Sequence, residues 1–252
     1  MTAKPSSPAE TPTAATPEPF DSEHHAGMGS GNALRAGVLG ANDGLVSILS
    51  LVMGVAGAAF DSSAILVTGL AGVLAGACSM AMGEWISVTS SRELYSRQLE
   101  EERIEIRDNP ERELQELIRL YERRGVRHEI AVEVATAIMK DPDTALDVMA
   151  REEFGFDPDD LGGSALVAAV SSFALFVVGA VPPILPFAFL EGSTAVITSL
   201  VLSGLALLVI GGLITQITGR SPVFSAVRQL VIGLGAAGVT YAIGASLGVS
   251  IV

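Results

Sequence analysis

The chain has 252 residues, of which 49% are hydrophobic and 17% are charged, and its mean hydropathy is +0.50. Such a composition is too apolar for an ordinary water-soluble domain, and the formal net charge of −13 argues against nucleic-acid binding and favours cationic partners. The charge is concentrated, because 20 of the 28 acidic residues and 11 of the 15 basic residues lie between Arg92 and Asp160. The sequence therefore predicts membrane segments around one acidic, polar insert.

The N-terminal segment 1–32 is rich in Pro, Thr, Ser, Ala and Glu and contains almost no large apolar side chains. This composition predicts a disordered tail. No apolar stretch of the kind found in signal peptides follows Met1, so a cleaved leader is not expected. The single cysteine, Cys78, cannot form a disulfide within the chain, and no oxidising compartment is implied.

Five stretches are apolar over about the 20 residues that a membrane-spanning helix needs. They are roughly Leu34–Phe60, Ala64–Ser91, Ser164 to the pair Pro182-Pro183, Ser193–Ile217 and Val223–Val252. We expect an all-α integral membrane protein of five transmembrane helices with a cytoplasmic helical metal-binding insert. Helices 1 and 2 are assigned to residues 33–91, the insert to residues 92–160, and helices 3 to 5 to residues 161–252.

Basic residues occur on only one side of these spans. They lie in the tail through Arg35, in the insert, and at Arg220 and Arg228, whereas the other loops and the C-terminus contain none. Positively charged loops remain in the cytosol. The pattern therefore predicts that the N-terminus and the insert are cytoplasmic and that the C-terminus lies outside.

The insert has the pattern of a helical bundle. No helix breaker occurs between Arg92 and Ile106, so the second span is expected to continue to about Asp108 as one long stalk. Three further helices are delimited by cap and breaker residues, namely Asn109-Pro110, Arg124-Gly125 and Asp141-Pro142. In the spans, the GxxxG pairs Gly72/Gly76 and Gly244/Gly248 are typical of close helix contacts, although glycine is common in membrane helices generally.

Two carboxylates interrupt the first two spans, and charges within a bilayer are costly enough to indicate function. At 1.5 Å per residue, Asp43 lies roughly 13 Å from the cytoplasmic edge, Glu84 roughly 10 Å and Met80 roughly 16 Å. We therefore expect Asp43, Met80 and Glu84 to converge on one site, with Asn42 beside it. Met80 and Glu84 are four residues apart and share a helix face, whereas Met82 points elsewhere.

These ligand types favour a transition metal. Carboxylates bind hard and borderline cations, and a thioether adds softness that Mg²⁺ and Ca²⁺ do not reward. Burial favours the neutral carboxyl group and a metal favours its charged form, so metal and proton compete for it. This is the chemistry of a metal/proton exchanger. The alternative is that Asp43 and Glu84 are hydrogen-bonded structural groups and that Met80 fills the core.

Further acids in the insert fall at helical spacing. Pairs three or four residues apart lie on three different helices, where they could surround metal ions as in carboxylate bundles, or could simply be solvated. The predicted ligands are Glu102, Glu105, Glu113, Glu116, Met149 and Glu153.

The sequence resembles the vacuolar iron transporter family, which includes plant vacuolar and yeast Ccc-type transporters. The resemblance covers about Leu34 to Val252 and is carried by GANDGLVSILSLVMGVAGA (40–58), LAGACSMAMGEWISVTSSRE (74–93) and EEERIEI (100–106). It implies a homodimer with an ion path lined by the first spans of both subunits, Asp43 and Met80 as path ligands, and Glu84 close by. It also implies Fe²⁺ export from the cytosol against H⁺, with the insert ligands collecting the ions.

Some relatives in that family carry an N-terminal ferritin-like domain, for which the tail of this chain is too short. Several metals fit this ligand set, because oxygen and sulfur ligands accept Mn²⁺, Co²⁺ and Zn²⁺ as well as Fe²⁺. Two host membranes also fit the sequence. The excess of Arg (13) over Lys (2) fits a GC-rich prokaryote and its plasma membrane, whereas a eukaryotic host would place the protein in a vacuole.

Two other classes compete with a transporter. A metal sensor or scaffold without transport would need only the acidic insert. An intramembrane aspartyl protease would need two carboxylates that share a proton, for which Asp43 and Glu84 are a poor pair.

Overall fold

The computed structural model describes residues 28–58, 60–159, 161, 163–218 and 221–251, with side chains from 35 to 215 and from 221 to 248 within these ranges. Its helices are α1 Met28–Gly57, α2 Ser62–Asp108, α3 Pro110–Arg123, α4 His128–Ile138, α5 Pro142–Met149, α6 Ala165–Ile184, α7 Gly192–Thr218 and α8 Pro222–Ile251. A π-helical turn, Ala150–Phe154, follows α5, and a 3₁₀ turn, Leu185–Ala188, follows α6. The predicted all-α class is confirmed.

Five of these helices are long and apolar enough to cross a membrane: α1, α2, α6, α7 and α8. The whole of α2 is 47 residues long, or about 70 Å, whereas a bilayer core is about 30 Å thick. Its last third, from about Arg92 onwards, therefore projects beyond the membrane as the predicted stalk. There it packs with α3 and α5, and both of these helices contact α4, so the stalk carries the helices of the insert.

Caps explain where the insert helices begin and end. Gly125, at φ 88°, closes α3 in a backbone conformation that favours glycine, as its position predicted. The Asp141 side chain accepts a hydrogen bond from the Asp143 amide and starts α5, with Pro142 in the tolerated first position. The bundle core behind these helices consists mainly of Leu117, Ile118, Ala131, Ala135 and Met149.

Two helix boundaries differ from the prediction. The helix α1 begins at Met28, inside the segment predicted to be disordered, because extending an existing helix costs far less than starting one. Residues 1–27 lie outside the described part of the chain. The pair Pro182-Pro183 does not end α6, which runs on to Ile184. There the Ser199 hydroxyl of α7 donates to the Pro183 carbonyl at 2.7 Å, a bond of the kind that makes proline tolerable in membrane helices.

Close glycine contacts hold the transmembrane bundle together, and α1 lies at its centre against α6, α8, α2 and α7. Both predicted GxxxG pairs make such contacts. A Cβ at Gly72 would collide with the Leu51 side chain of α1, and a Cβ at Gly76 with the Phe176 ring. A Cβ at Gly244 would collide with the Gly54 carbonyl oxygen, so α1 and α8 touch through their backbones.

We expect Gly244→Ala to destabilise the protein by about 1–3 kcal/mol, the usual result of overpacking, because the new methyl group meets backbone that cannot yield. Thermal unfolding of the detergent-purified protein measures this loss. Gly238→Ala on the same helix is the control, since a Cβ there has no neighbour within 4 Å. Equal melting temperatures for the two variants would contradict the close α1–α8 contact.

Candidate functional site

The helix turn that contains Asp43 is packed against two neighbours. On one side it touches α6, where a Cβ at Gly44 would collide with the Phe176 carbonyl oxygen. In the same contact, a Cβ at Gly179 of α6 would collide with the Ala41 carbonyl oxygen. The backbones of α1 and α6 are therefore in direct contact at the level of Asp43.

On a second side, the Asn42 Oδ1 atom accepts a hydrogen bond from the Gln229 Nε2 atom of α8. Successive residues of an α-helix are about 100° apart around its axis. With Ala41 and Gly44 directed to α6 and Asn42 directed to α8, Asp43 is the residue of this turn that points away from both. Sequence reasoning did not identify Gln229, because no local pattern links positions 187 residues apart.

The Asp43 carboxylate is half-buried and begins a polar stripe along the open side of α1. The Ser47 hydroxyl, one turn further on, donates to Asp43 Oδ1 at 2.8 Å, and Ser50 continues the same face. We call Asp43, Ser47 and Ser50 the α1 polar face. A carboxylate turned towards lipid at this depth would be costly, so the face needs a polar covering.

The contact between α1 and α2 fixes the relative depth of their polar residues. A Cβ at Gly69 would lie 3.2 Å from Val52 Cγ1, and a Cβ at Gly72 would lie 3.2 Å from Ile48 Cδ1. The two helices are therefore antiparallel, and each step forward along α1 is matched by a step backward along α2.

A Cβ at Gly72 would also collide with the Leu51 side chain. Continued along the helices, these contacts put Asp43 level with the turn from about Ala77 to Met80, and Glu84 lies one to two turns nearer to the insert. The predicted similar depth of Asp43, Met80 and Glu84 stays a prediction. The Asp43 and Glu84 side chains lean towards one another, since every Cα–Cβ bond tilts towards its own helix N-terminus and the helices are antiparallel.

The two methionines of this segment have different surroundings. Met80 packs against the buried core of the transmembrane bundle, whereas the Met82 side chain is 60% exposed, as predicted. Glu84 is half-buried and has no hydrogen-bond partner among the described residues. Within one chain, Asp43 faces the open side and Met80 the core, so their convergence on one ion stays a prediction.

A second group of acids lies in the insert, outside the membrane-spanning segments. Carboxylate oxygens of Glu102, Glu105 and Glu113 lie within 4.8 Å of one another. Glu102 and Glu113 are only 4% and 1% exposed, and each has a buried Oε1 atom without a hydrogen-bond partner. Buried carboxylates without partners are strongly unfavourable, and a bound cation would supply the missing contacts.

The protonation of this cluster follows from its burial and its density of like charge. Burial, followed by the charges of Glu153 and Glu113, raises the pKa of Glu102 to about 7. Burial is also the main cause that raises the pKa of Glu113 and of Glu153, and the charge of Glu116 adds to both shifts. Because five glutamates influence one another electrostatically, the predicted acids of α2, α3 and the π-helical turn lie in one cluster.

Two residues qualify the predicted ligand set. Met149 is fully buried in the apolar core of the insert beside Leu117 and Ala131. A methionine that only fills the core would occupy the same position. Arg112 was not predicted, but its guanidinium lies 3.4 Å from Glu105 and 3.7 Å from Glu113 and supplies a countercharge at the rim of the cluster.

Another acidic group, formed by Asp147, Asp157 and Asp159, lies nearby. Arg151 makes ion pairs of 3.0 Å with Asp147 and 2.7 Å with Asp157. Arg151 thus bonds directly to two of these acids, whereas Arg112 lies only at the rim of the glutamate cluster and leaves Oε1 of Glu102 and of Glu113 without a hydrogen-bond partner.

Comparison with known proteins identifies the family. Residues 34–245 match the model of the VIT family. The chain belongs to the VIT family.

Its relatives match over most of their length. The vacuolar iron transporter of Acanthamoeba castellanii is 38% identical over 198 residues, which are 78% of this chain and 71% of that protein. Vacuolar iron transporter 1 of Oryza sativa subsp. japonica is 33% identical over 216 residues, and that of Tulipa gesneriana 32% over 212 residues, with at least 84% of each chain covered. VIT family members are transporters, so the protease hypothesis is excluded.

We expect the metal-free protein to become less stable as the pH rises from about 4.5 to about 7. A carboxyl group whose pKa is raised by folding binds more protons in the folded state, so its neutral form favours folding and its ionisation opposes it. Melting temperatures across this range, with and without Fe²⁺, measure the effect. A stability that rises with pH over this window would contradict the buried position of Glu102.

We expect Glu102→Gln to stabilise the metal-free protein at pH 8 and to weaken metal binding by about tenfold or more, as changes at metal sites commonly do. The neutral amide removes an unfavourable buried charge and a cation ligand together. Calorimetric titration and thermal unfolding measure the two effects, with the exposed Glu133→Gln of α4 as control. A variant with unchanged metal affinity would contradict the assignment of Glu102 to a metal site.

Proposed function

We propose that this protein is a proton-coupled transporter that exports Fe²⁺ from the cytosol in exchange for H⁺. Mn²⁺, Co²⁺ and Zn²⁺ are further substrates that its oxygen and sulfur ligands accept. The observation that carries the proposal is the half-buried carboxylate of Asp43, turned to the open side of an apolar helix bundle. Relatives named vacuolar iron transporters support iron as the substrate.

The metal enters at the insert. Glu102, Glu105 and Glu113, with Glu116 and Glu153 beside them, capture the cation and release protons as it binds. Met149 adds a soft ligand. From there α2 leads to the membrane, because the same helix carries Glu102 in its stalk and Glu84 and Met80 in its span.

Within the membrane the ion passes Glu84 and Met80 and reaches Asp43. A proton arriving at Asp43 from the opposite side neutralises the carboxylate and weakens its hold on the metal, which then leaves. The reverse exchange, metal for proton, resets the site on the cytosolic side. Glu84, one to two turns nearer to the insert, carries the proton onward or holds the ion in passing.

The active unit is a homodimer whose first spans line the ion path. The support is the α1 polar face, which one chain leaves uncovered although it contains a carboxylate within the apolar part of α1. A second copy would cover it with an identical polar face and would bring two Asp43 carboxylates to one ion. Lipids surround the apolar remainder of the bundle.

The insert and the N-terminus lie in the cytosol and the C-terminus outside. Arg92 at the base of the stalk donates to the Gly163 carbonyl at 3.5 Å, just before α6. Arg35 and Arg228 lie near the starts of α1 and α8, helices that run parallel to each other. Bases at one end of the bundle support this orientation. The host membrane is the plasma membrane of a prokaryote or the vacuolar membrane of a eukaryote.

We expect proteoliposomes with an acidic lumen to take up Fe²⁺, and we expect Asp43→Asn or Met80→Leu to abolish the uptake. Each change keeps the size of the side chain and removes a ligand. Met82→Leu is the matched control, because that side chain points away from the core. Uptake by Asp43→Asn at the wild-type rate would overturn the site, and metal binding without flux in the wild type would favour a sensor or scaffold.

We expect Ser47→Cys, in a Cys78→Ala background, to form a disulfide between two copies on mild oxidation. The two cysteines would then lie within the few ångströms that a disulfide requires. Gel electrophoresis without reductant would show a species of twice the 26.0 kDa chain mass. The partly exposed Thr198→Cys of α7 is the control, and equal cross-linking at both positions would contradict a dimer through α1.

A further inference from the structure

The hydrogen bond between Gln229 and Asn42 joins α8 to α1, two helices that elsewhere approach each other closely at glycines. Where α1 meets α6, and where it meets α8 further on, the contacts are made through glycine and bare backbone, as at Gly44 and Gly244. Such contacts hold the helices close together and leave one side of α1 open, but they permit small rotations of α1. A directional bond between two amides limits these rotations, and the bond to Asn42 lies directly beside Asp43.

This bond also sets the direction of the Asn42 side chain. The Oδ1 atom is the only side-chain atom of Asn42 that could ligate a cation, and the bond from Gln229 turns it towards α8. Asn42 was predicted to belong to the transport path, and the bond adds a contact through which Gln229 can act on this turn of α1. Its neighbour Asp43 is then directed about 100° away, onto the open side of α1.

We propose that Gln229 is a positioning residue of the transport site, which acts through Asn42 to keep Asp43 directed to the α1 polar face. It touches neither the metal nor the proton. The proposal rests on the proposed transport function, because Asp43 has to be the residue that meets the ion. Without the bond, α1 rotates more freely and Asp43 spends less time in the competent direction, which lowers the apparent affinity for the metal by that fraction.

The first test is the transport kinetics of Gln229→Met, a side chain of similar length that cannot donate a hydrogen bond. We expect KM for Fe²⁺ to rise about threefold, the effect of one hydrogen bond between membrane helices, with the maximal rate per folded protein nearly unchanged. A merely structural role would lower the amount of active protein and leave KM alone. Thr240→Val is the matched control, because that hydroxyl also lies on α8 facing α1 but bonds only to its own helix.

The second test is rescue by exchange of the two amides. The double variant Asn42→Gln with Gln229→Asn keeps the summed length of the pair and can form the bond again. We expect its KM to return towards the wild-type value, whereas Asn42→Ala with Gln229→Met should be no worse than Asn42→Ala alone. Additive effects in that pair would show that Gln229 does not act through Asn42 and would overturn the proposal.

The third test reads the rotation of α1 without any transport. Cys78 is the only cysteine, so Ser50→Cys in a Cys78→Ala background has a single thiol on the α1 polar face. We expect Gln229→Met to slow its labelling by a charged, water-soluble methanethiosulfonate about threefold, in line with the same bond. An unchanged labelling rate together with an unchanged KM would overturn the proposal. Absence of flux in the wild type would contradict the proposed function, and the labelling rate would still decide the role of Gln229.

Discussion

The direct backbone contact of α1 with α6 and α8 is the constraint on which the rest of the membrane region depends. Residues as small as Gly44 and Gly244 let three helices approach until carbonyl groups take the place of side chains. In an apolar solvent this close packing, rather than the hydrophobic effect, holds helices together. This packing also sets the side of α1 on which Asp43 lies, because α6 and α8 occupy two sides of the helix and leave another side open. A carboxylate that costs free energy in the membrane is thereby held in a defined direction.

The second consequence concerns α2, which joins the two proposed metal-binding environments in one unbroken helix. Glu84 and Glu102 lie on it about 27 Å apart, one within the membrane part and one in the stalk. In the stalk, burial and the charges of neighbouring glutamates raise the pKa of Glu102 to about 7. In the proposed transport cycle, metal and proton compete both for this cluster and for the carboxylates of the spans. Arg112 supplies a countercharge at the stalk.

Local features were predictable from the sequence, and contacts between distant residues were not. Hydrophobic length, caps and glycine spacing predicted the spans, the stalk, the ends of α3 and the start of α5. Pro182 and Pro183 misled, because the Ser199 bond that helps the helix to continue comes from another helix. The register of α1 against α2 was not predictable, because it depends on contacts such as Gly69 with Val52 and Gly72 with Leu51. Gln229 and Arg112 were missed, since their partners are decided by packing and not by spacing along the chain.

The most direct test of the central claim is to follow protons and metal together in vesicles that contain the purified protein and a luminal pH dye. No pH difference is imposed at the start, and Fe²⁺ is added on the side of the insert. The account predicts that the lumen becomes more alkaline as the metal enters, and that Asp43→Asn abolishes both movements. Entry of Fe²⁺ into wild-type vesicles without any movement of protons would contradict it.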